Sequence, residues 1–570
     1  MTDIDSRVYI ARKLAPLLAE YSSDGILPRD RAQWLLSATL TLLEQLMREI
    51  CNKYSKLRLL TLLRTLAPPR IFTGYSSTPS LDVAPSRILT VAALKHGSRI
   101  LEGTLGWQIS GYHRITEQQR RDCLELVILA QYYNQIERIW YAFGNGVEIA
   151  IRDGEITHVV NDVQRRLALL ENQRLEYNTS GLLAPSAILA DFDVYNSLKM
   201  DSLFVLSALA VVSSEKSTSS GPIMLGIPEV HEGRLFETNF VSLTYSLDNI
   251  QNLAYILKDH FVKLYGINFR TFSYLLSAFS LLQIDGNMHQ PEFFADFSRT
   301  GLGLFQVEPT LAFLTDHLNK LSSHTVAVPS PWPLVRRFTK TVVLSDRRCQ
   351  DLDLHGNWLP YLFYQFDNTY VADWMNLFTV LNSILLTVSD SGDAKNMKGS
   401  RFEQDLAKWI SARDPGAKPL FKPNQKLKLN GNIVGEIDLS FVCGAVAYVI
   451  ECKAYKMSRY CYRGDPDAIY SRWCYTEEWL SQAIKTARVL AANPRGDNYR
   501  LPDGIRYVVP LVCSLHVEPV YMIDDRHFVN EQIPRICTPL ELLSLLSIDL
   551  SPASVQNTYT YIRQSPNETP

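Results

Sequence analysis

Residues 435–453 read Gly-Glu-Ile-Asp-Leu-Ser-Phe-Val-Cys-Gly-Ala-Val-Ala-Tyr-Val-Ile-Glu-Cys-Lys. Two apolar-rich strands flank a Gly444-Ala445 turn, and their only charges are Glu436, Asp438, Glu451 and Lys453. Side chains alternate between the faces of a strand, so Glu436 and Asp438 are expected on one face and Ile437, Leu439 and Phe441 on the other. In the second strand Val449, Glu451 and Lys453 share a face, opposed by Tyr448, Ile450 and Cys452. A two-residue loop that begins with Gly suits a type II′ hairpin. That register sets Cys443 against Val446, hence Asp438 against Glu451 and Glu436 against Lys453. Directly opposed Cβ atoms lie about 4.5–5.5 Å apart, and like charges so placed destabilise a hairpin. A divalent cation is the simplest compensation, so Asp438 and Glu451 are the expected metal ligands. Lys453 beside them would position or deprotonate a water and offset developing charge. Hard carboxylate oxygens at two positions suit Mg²⁺, with Mn²⁺ as a substitute. The competing reading of Lys453 is a plain ion pair with Glu436, which the same register permits.

The elements around this hairpin follow from periodicity and punctuation. Ser400–Arg413 reads as a helix with Phe402, Leu406 and Ile410 on its buried stripe, and Ser400 with Glu403 has the spacing of a capping box. Gln425–Leu429 is a short strand turning at Asn430-Gly431. Then come strands Ile433–Val442 and Val446–Tyr455, a helix at Thr476–Ala492, a strand at Ile505–Ser514 and a helix at Pro539–Leu546. The core order is α-β-β-β-α-β. Ser389–Ser400, polar and free of aromatics, reads as a domain boundary. Residues 1–389 read as mainly helical: Arg7–Tyr21, Arg31–Tyr54, Glu117–Phe143, Val160–Tyr177, Leu247–Tyr265 and Phe269–Leu282 show apolar residues at helical intervals. Strand-like patches near Val326–Val328 and Thr341–Leu344 are too few to indicate a sheet. With 570 residues the chain exceeds one typical core. The expected organisation is α+β and multidomain: a large helical region (1–389), an α/β domain (395–550) with a core of its own, and a tail (551–570).

The α/β order, with an acid on the second strand and Glu-x-Lys on the third, resembles the PD-(D/E)xK nucleases, the restriction-endonuclease-like superfamily. Within it, Gly-Glu-Ile-Asp followed by Glu-Cys-Lys looks most like modification-dependent restriction enzymes and related defence nucleases. The resemblance implies Asp438 as the first metal-binding acid, Glu451 as the second and Lys453 as the catalytic lysine. It places Glu403 where many members carry a further acid that helps the metal or orients its water. It also implies a Mg²⁺-dependent nuclease, with DNA favoured over RNA, in defence or restriction. Gln482 stands where some exonuclease-like members carry Gln-x-x-x-Tyr, but position 486 is Thr, so an endonuclease is favoured. The alternative is a catalytically silent nucleic-acid-binding or scaffold protein that retains the fold.

Charge and composition bear on partners. Lys395–Lys428 holds nine basic residues against Glu403, Asp405 and Asp414, which suits the approach of a polyanion or, equally, a solvated helix face. After Lys453 the chain reads Tyr455, Lys456, Arg459, Tyr460, Tyr462, Arg463, Tyr470, Arg472, Trp473, Tyr475. Basic residues among aromatics neutralise phosphates and stack unpaired bases. The other reading is a loop whose aromatics cover the sheet edge. Lys456, Arg459, Arg463, Arg472 and Gln482 are therefore the candidate nucleic-acid contacts. None of the nine cysteines forms a Cys-x-x-Cys pair or a zinc spacing. Cys452 should face the apolar side of its strand. No phosphate-loop motif occurs, the chain starts without signal-peptide character, and its most apolar run, Leu203–Val212, is far short of a membrane span. A soluble, cytoplasmic, homo-oligomeric protein is expected, with the helical region answering to a regulatory protein or ligand and no membrane partner.

Overall fold

The computed structural model describes residues 6–19, 25–67, 83–98, 115–159, 185–189, 204–213, 238–246, 258–269, 302–322, 331–355, 361–374, 398–455, 457–462, 464–519, 525–529, 534–547 and 561–562, with single residues and pairs between 170 and 388. The chain opens with helices α1 (Ser6–Leu18), α2 (Arg29–Cys51), α3 (Lys56–Leu66), α4 (Val83–His96) and α5 (Glu117–Gly144). A capping box between Thr116 and Gln119 starts α5. Strand β1 (Gly25–Ile26) joins the hairpin of β2 (Glu148–Arg152) and β3 (Glu155–Val159). The hairpin turns at Asp153 and Gly154, whose φ angles of 51° and 74° fit a type I′ turn. Strands β4 (Pro185–Leu189), β5 (Phe204–Ser213) and β6 (Thr238–Ser246) form an antiparallel sheet in the order β4-β6-β5.

Helix α6 (Lys258–Tyr265) precedes β7 (Leu302–Gln306), α7 (Val307–Ser322), α8 (Pro331–Val342), β8 (Val343–Ser345), β9 (Phe363–Phe366) and β10 (Thr369–Asp373). These strands form a third sheet, ordered β7-β10-β9-β8, and both of its faces are covered. Leu302, Leu344, Tyr364, Phe366 and Val371 pack into the core of α1–α5. Their alternates Phe305, Phe363, Tyr370 and Ala372 belong to the other core, as the two-residue period of a strand requires. The bundle is fastened to this wall by Arg64 on α3, 2% exposed, whose Nη2 lies 2.7 Å from Asp373 Oδ2. Ser86, Thr90 and Tyr364 complete that buried network.

The last part comprises α9 (Lys398–Arg413), β11 (Lys418–Pro419), β12 (Gln425–Leu429), β13 (Asn432–Ile437), β14 (Leu439–Cys443), β15 (Val446–Lys453), α10 (Arg459–Tyr462), α11 (Pro466–Ala492), β16 (Tyr507–Ser514), β17 (Ile536–Cys537), α12 (Pro539–Leu546) and β18 (Tyr561–Ile562). The main sheet runs β11-β14-β15-β16-β17, with β15, β16 and β17 parallel, and β18 added antiparallel to β16. Phe402, Leu406, Trp409 and Ile410 of α9 share a core with Leu439, Phe441, Tyr448, Ile450 and Cys452. On the other face Ala447 and Val449 meet Ala487 and Leu490 of α11.

The chain is mixed helix and sheet, and it departs from the expected organisation in several places. Ten of the described strands precede residue 390, so the first part is less helical than its periodicity suggests. These strands lie between the segments read as helices, and two of their hairpins turn at Asp153-Gly154 and at Asp367, with φ 48°. Val326–Val328, most of Val160–Tyr177 and the boundary segment as far as Asn396 and Met397 lie outside the described residues. Helix α9 begins at Lys398, so Ser400 lies inside the helix and not at the expected start. Helix α11 starts ten residues before the expected Thr476, at Pro466, capped by the Asp465 side chain accepting from Ala468 N–H. Residues 561–562 of the expected tail pair with β16. Among the described residues no helix is long and apolar enough to cross a membrane.

The core does not divide at the expected boundary. Phe261, Phe272, Phe279, Phe338 and Trp374 belong to the same buried cluster as Trp409, Phe441, Tyr448 and Leu511. Arg174 reaches the last part as well, its Nε 2.9 Å from Glu541 Oε1 and its Nη2 2.9 Å from the Ile536 carbonyl. The end of α5 meets the turn before α11 glycine to glycine. A Cβ on Gly144 would lie 2.5 Å from the Gly464 carbonyl oxygen, and one on Gly464, at φ +75°, 2.7 Å from Tyr141 Cα.

Two predictions follow from this packing. The excised fragment 395–570 loses the earlier residues with which it shares its largest buried cluster, so it is expected to bind a hydrophobic dye and melt without a cooperative transition. A sharp melt matching that of the full chain would show that the fragment folds alone, as its sequence suggests. Gly464→Ala adds both backbone strain and overlap with Tyr141, so it should lower stability by about 2 kcal/mol or more. Chemical denaturation showing no loss would disprove the close approach.

Candidate active site

The end of β15 is where the candidate chemistry gathers. The β14–β15 ladder pairs Cys443 with Val446 and proceeds to Leu439 with Ile450, where it stops. Gly444 has φ 58°, in keeping with a type II′ turn. Asp438 is not a strand residue: it occupies a bend, and before it β13 leaves the sheet to pair with β12, setting Gln425 against Ile437 and Lys426 against Glu436. Continued by one hydrogen-bonded pair, the ladder would have set Ile437 against Cys452. The Asp438 side chain takes that place: its Oδ2 accepts the Cys452 N–H at 2.8 Å.

This bend corrects two expectations. Ile437 does not share a face with Leu439 and Phe441; it packs with Leu427, Ala447 and Val449 on the opposite side of the sheet. Glu436 does not face Lys453. It is exposed on the β12–β13 ribbon, and Lys453 Nζ instead lies 2.5 Å from Glu451 Oε1. The reading of Lys453 as a partner for Glu436 is thereby removed.

Glu403, on α9, is 5% exposed, and its Oε2 is buried without a hydrogen-bond partner. Asn424 ties it to the bend. The Asn424 side chain hydrogen-bonds Glu403, while its backbone, at φ 60°, donates to the Asp438 carbonyl at 3.1 Å. Burial raises the Glu403 pKa, helped by Glu451 and Glu436 and opposed by Asn424 and Lys453. Burial, then the charges of Glu451 and Glu403, push Asp438 up to about 7, against the Cys452 N–H and Lys453, which favour its anion. For Lys453 burial disfavours the charge, but Glu451 and Asp438 outweigh it and the pKa is raised. Three carboxyl groups and one ammonium thus feel one another at the carboxyl end of a parallel strand pair, a common place for ligand sites in α/β sheets.

Among the described residues, no group of three or more His, Cys, Asp or Glu side chains is arranged to hold a metal ion. The residues nonetheless fit a hard cation in character. Glu451 raises the cost of ionising Asp438, and Glu403 has a buried oxygen without a partner. Mg²⁺ commonly takes one or two carboxylates and keeps several waters.

The expected nucleic-acid contacts are sorted differently. Gln482 is exposed on α11. Lys456 and Arg463 lie outside the described residues, and only the helical backbone of Arg459 is described. Arg472 is a correction: it is 3% exposed and forms a two-pronged ion pair with Glu518, itself 1% exposed, so it offers no free charge to a phosphate. Ser514, the register neighbour of Lys453 on β16, donates to Glu518 at 2.5 Å. Sequence reading missed Asn424, Glu518 and Ser514. Pro423-Asn424 carried a turn signal; Glu518 carried none, being a lone acid 46 residues from its partner.

Comparison with known proteins yields no match, whether to a family model, a curated protein or a solved structure.

The raised Asp438 pKa has a sign that can be tested. Between its ordinary range and about 7 the folded chain holds a proton that the unfolded chain has released. Stability therefore falls as pH rises through that window. Asp438→Asn, which can still accept from Cys452, should raise Tm relative to the parent in chelator at about pH 8 and change it little at about pH 4. Mg²⁺ should raise Tm of the parent more than that of the variant. Equal Tm differences at both pH values would contradict the electrostatic coupling.

Proposed function

We propose that the chain is a metal-dependent nuclease of the PD-(D/E)xK type, hydrolysing phosphodiester bonds of nucleic acid, with DNA the favoured substrate and internal cleavage the favoured mode. The observation that carries this reading is the Asp438 carboxylate held by the Cys452 N–H, beside the Glu451–Lys453 pair at the end of β15. The element order α9, β13/β14, β15, α11, β16 supports it, because it supplies one acid from a helix, Asp438 from the bend between β13 and β14, and Glu451 and Lys453 from β15. Defence or restriction is the role that the resemblance implies. A homo-oligomer would supply two sites for two strands.

Asp438 and Glu451 would hold the ion, with Glu403 as an additional acid. A bound Mg²⁺ supplies charge neutralisation at the phosphate and a lower pKa for water. The residues around it have separate tasks. Lys453, kept charged by Glu451 and Asp438, offsets negative charge that develops on the phosphoryl oxygens and orients a water. Burial raises the Glu403 pKa, which suits its carboxyl to exchange a proton with that water. The Cys452 N–H fixes the Asp438 carboxylate, so no reorganisation is needed when substrate arrives. Cys452 itself takes no part: it is 4% exposed in the apolar core, and burial holds its thiol neutral.

The second reading is a catalytically silent nucleic-acid-binding or scaffold protein. The observation in its favour is that Lys453 already neutralises Glu451. Incubating the full-length protein with circular DNA, linear DNA and RNA, with and without Mg²⁺ or Mn²⁺, separates the two. Metal-dependent cleavage is expected. Asp438→Ala, Glu451→Ala and Lys453→Met should each reduce it by about 100-fold or more, while Lys453→Met leaves most nucleic-acid affinity intact. Unchanged cleavage in chelator, or in any of the three variants, would defeat the nuclease reading; binding without cleavage under all conditions would favour the scaffold.

A further inference from the structure

Beside the candidate site the surface is unusually aromatic. Tyr455 is 46% exposed and Tyr475 43% exposed, although large rings are normally well covered. Their ring centroids are 5.3 Å apart with planes inclined at 37°. Tyr455 follows Lys453 by two residues, which in extended chain is about 7 Å. Tyr475 comes from α11, so the pair bridges the strand end and the helix.

The pair is held from beneath. Trp479, 6% exposed, lies 6.0 Å from the Tyr455 ring. The Arg472 guanidinium lies 5.5 Å from the Tyr455 ring centroid and 5.0 Å from that of Trp479, and its Nη2 donates to the Tyr455 carbonyl at 3.3 Å. Arg472 is in turn fixed by Glu518, which Ser514 also holds. The buried ion pair therefore sets both the backbone and the ring of Tyr455, while the outer part of the two rings remains in water. A rigid, exposed π surface loses little conformational entropy on binding a flat partner.

Resting on the nuclease reading, we infer that Tyr455 and Tyr475 form a stacking platform for unpaired nucleobases of the strand whose phosphate is presented to Lys453. A duplex keeps its bases stacked on one another and offers no free ring face except at its ends. An unpaired stretch offers one at every nucleotide, and each stacked base contributes about 1–3 kcal/mol. Nothing here reads the base edge, so the platform selects single-stranded character rather than sequence, and it accepts ribose or deoxyribose. With the charged end of β15 alongside, nucleic acid suits that neighbourhood better than a protein partner does.

The test uses full-length protein in chelator, so that cleavage does not enter. Fluorescein-labelled oligothymidylate, oligouridylate and a DNA hairpin duplex of matched length are titrated by anisotropy. Tyr455→Ala and Tyr475→Ala should each weaken binding of both single strands about 5- to 100-fold, with the duplex nearly unchanged. Tyr455→Phe and Tyr475→Phe should retain parent affinity, because the ring face stacks. Tyr475→Leu, which keeps apolar cover over Tyr455 without a π face, should bind single strands as weakly as the alanine variant; this guards against unfolding, monitored by Tm. Single-strand affinities that stay at the parent value in the Ala and Leu variants, or that fall equally for single strand and duplex, would overturn the platform. So would a parent protein that binds none of the single strands. The two readings fail separately: an active parent whose alanine variants bind normally loses the platform alone, whereas selective single-strand binding by a protein that cleaves nothing retains the platform and loses the nuclease.

Discussion

One hydrogen bond organises the end of the central strand. When β13 leaves the sheet to pair with β12, the Cys452 N–H loses the backbone acceptor that an unbroken ladder would have supplied. A buried donor left unmade costs about 1–3 kcal/mol, and the Asp438 carboxylate makes it good at 2.8 Å. That substitution pins a carboxylate beside Glu451 and within reach of Glu403 and Lys453, and it is possible only because the chain bends at Asp438. The same bend moves Ile437 into the core on the opposite face. The break in the strand and the gathering of charge are thus one event.

The charged cluster tolerates its own repulsion because of what lies behind it. Strand β15 is buried through most of its length, flanked by β14 and β16 and covered by α9 on one face and α11 on the other. Burial raises the pKa of Asp438 and of Glu403 together, so both resist ionisation more than free carboxyl groups do. The scaffold that absorbs this cost extends well before residue 398. The β7–β10 sheet is a shared wall between two cores, and the Gly144–Gly464 approach and Arg174 tie earlier segments to the turn before α11 and to α12. A displacement of α5 would therefore be felt at the segment that follows Lys453.

The basic and aromatic residues after Lys453 look alike in sequence and separate in space. Arg472 turns inward to Glu518, where a guanidinium removed from water needs a carboxylate and finds one in two-pronged geometry. The tyrosines stay outside. A segment that reads as a cationic surface is, in its described part, an aromatic surface on a buried ion pair.

The sequence by itself determined the local features. The Asn430-Gly431 turn, with φ of 52° and 79°, the Gly444 hairpin, the register of Cys443 with Val446, the apolar orientation of Cys452 and the stripe of α9 all follow from residues close in the chain. Nearby geometry is dictated by steric limits on φ and by the two- and 3.6-residue periods, which no distant contact alters. The proximity of Asp438 to Glu451 was legible for the same reason. What only tertiary structure decided depends on partners far away in sequence. The bend at Asp438 depends on whether β13 gains more by pairing with β12 than with β15. The burial of Arg472 depends on Glu518, and the extent of the core on whether Phe261 and Trp374 find Trp409. In each case alternatives that are nearly equal locally are separated by burial, and burial is a property of the assembled chain.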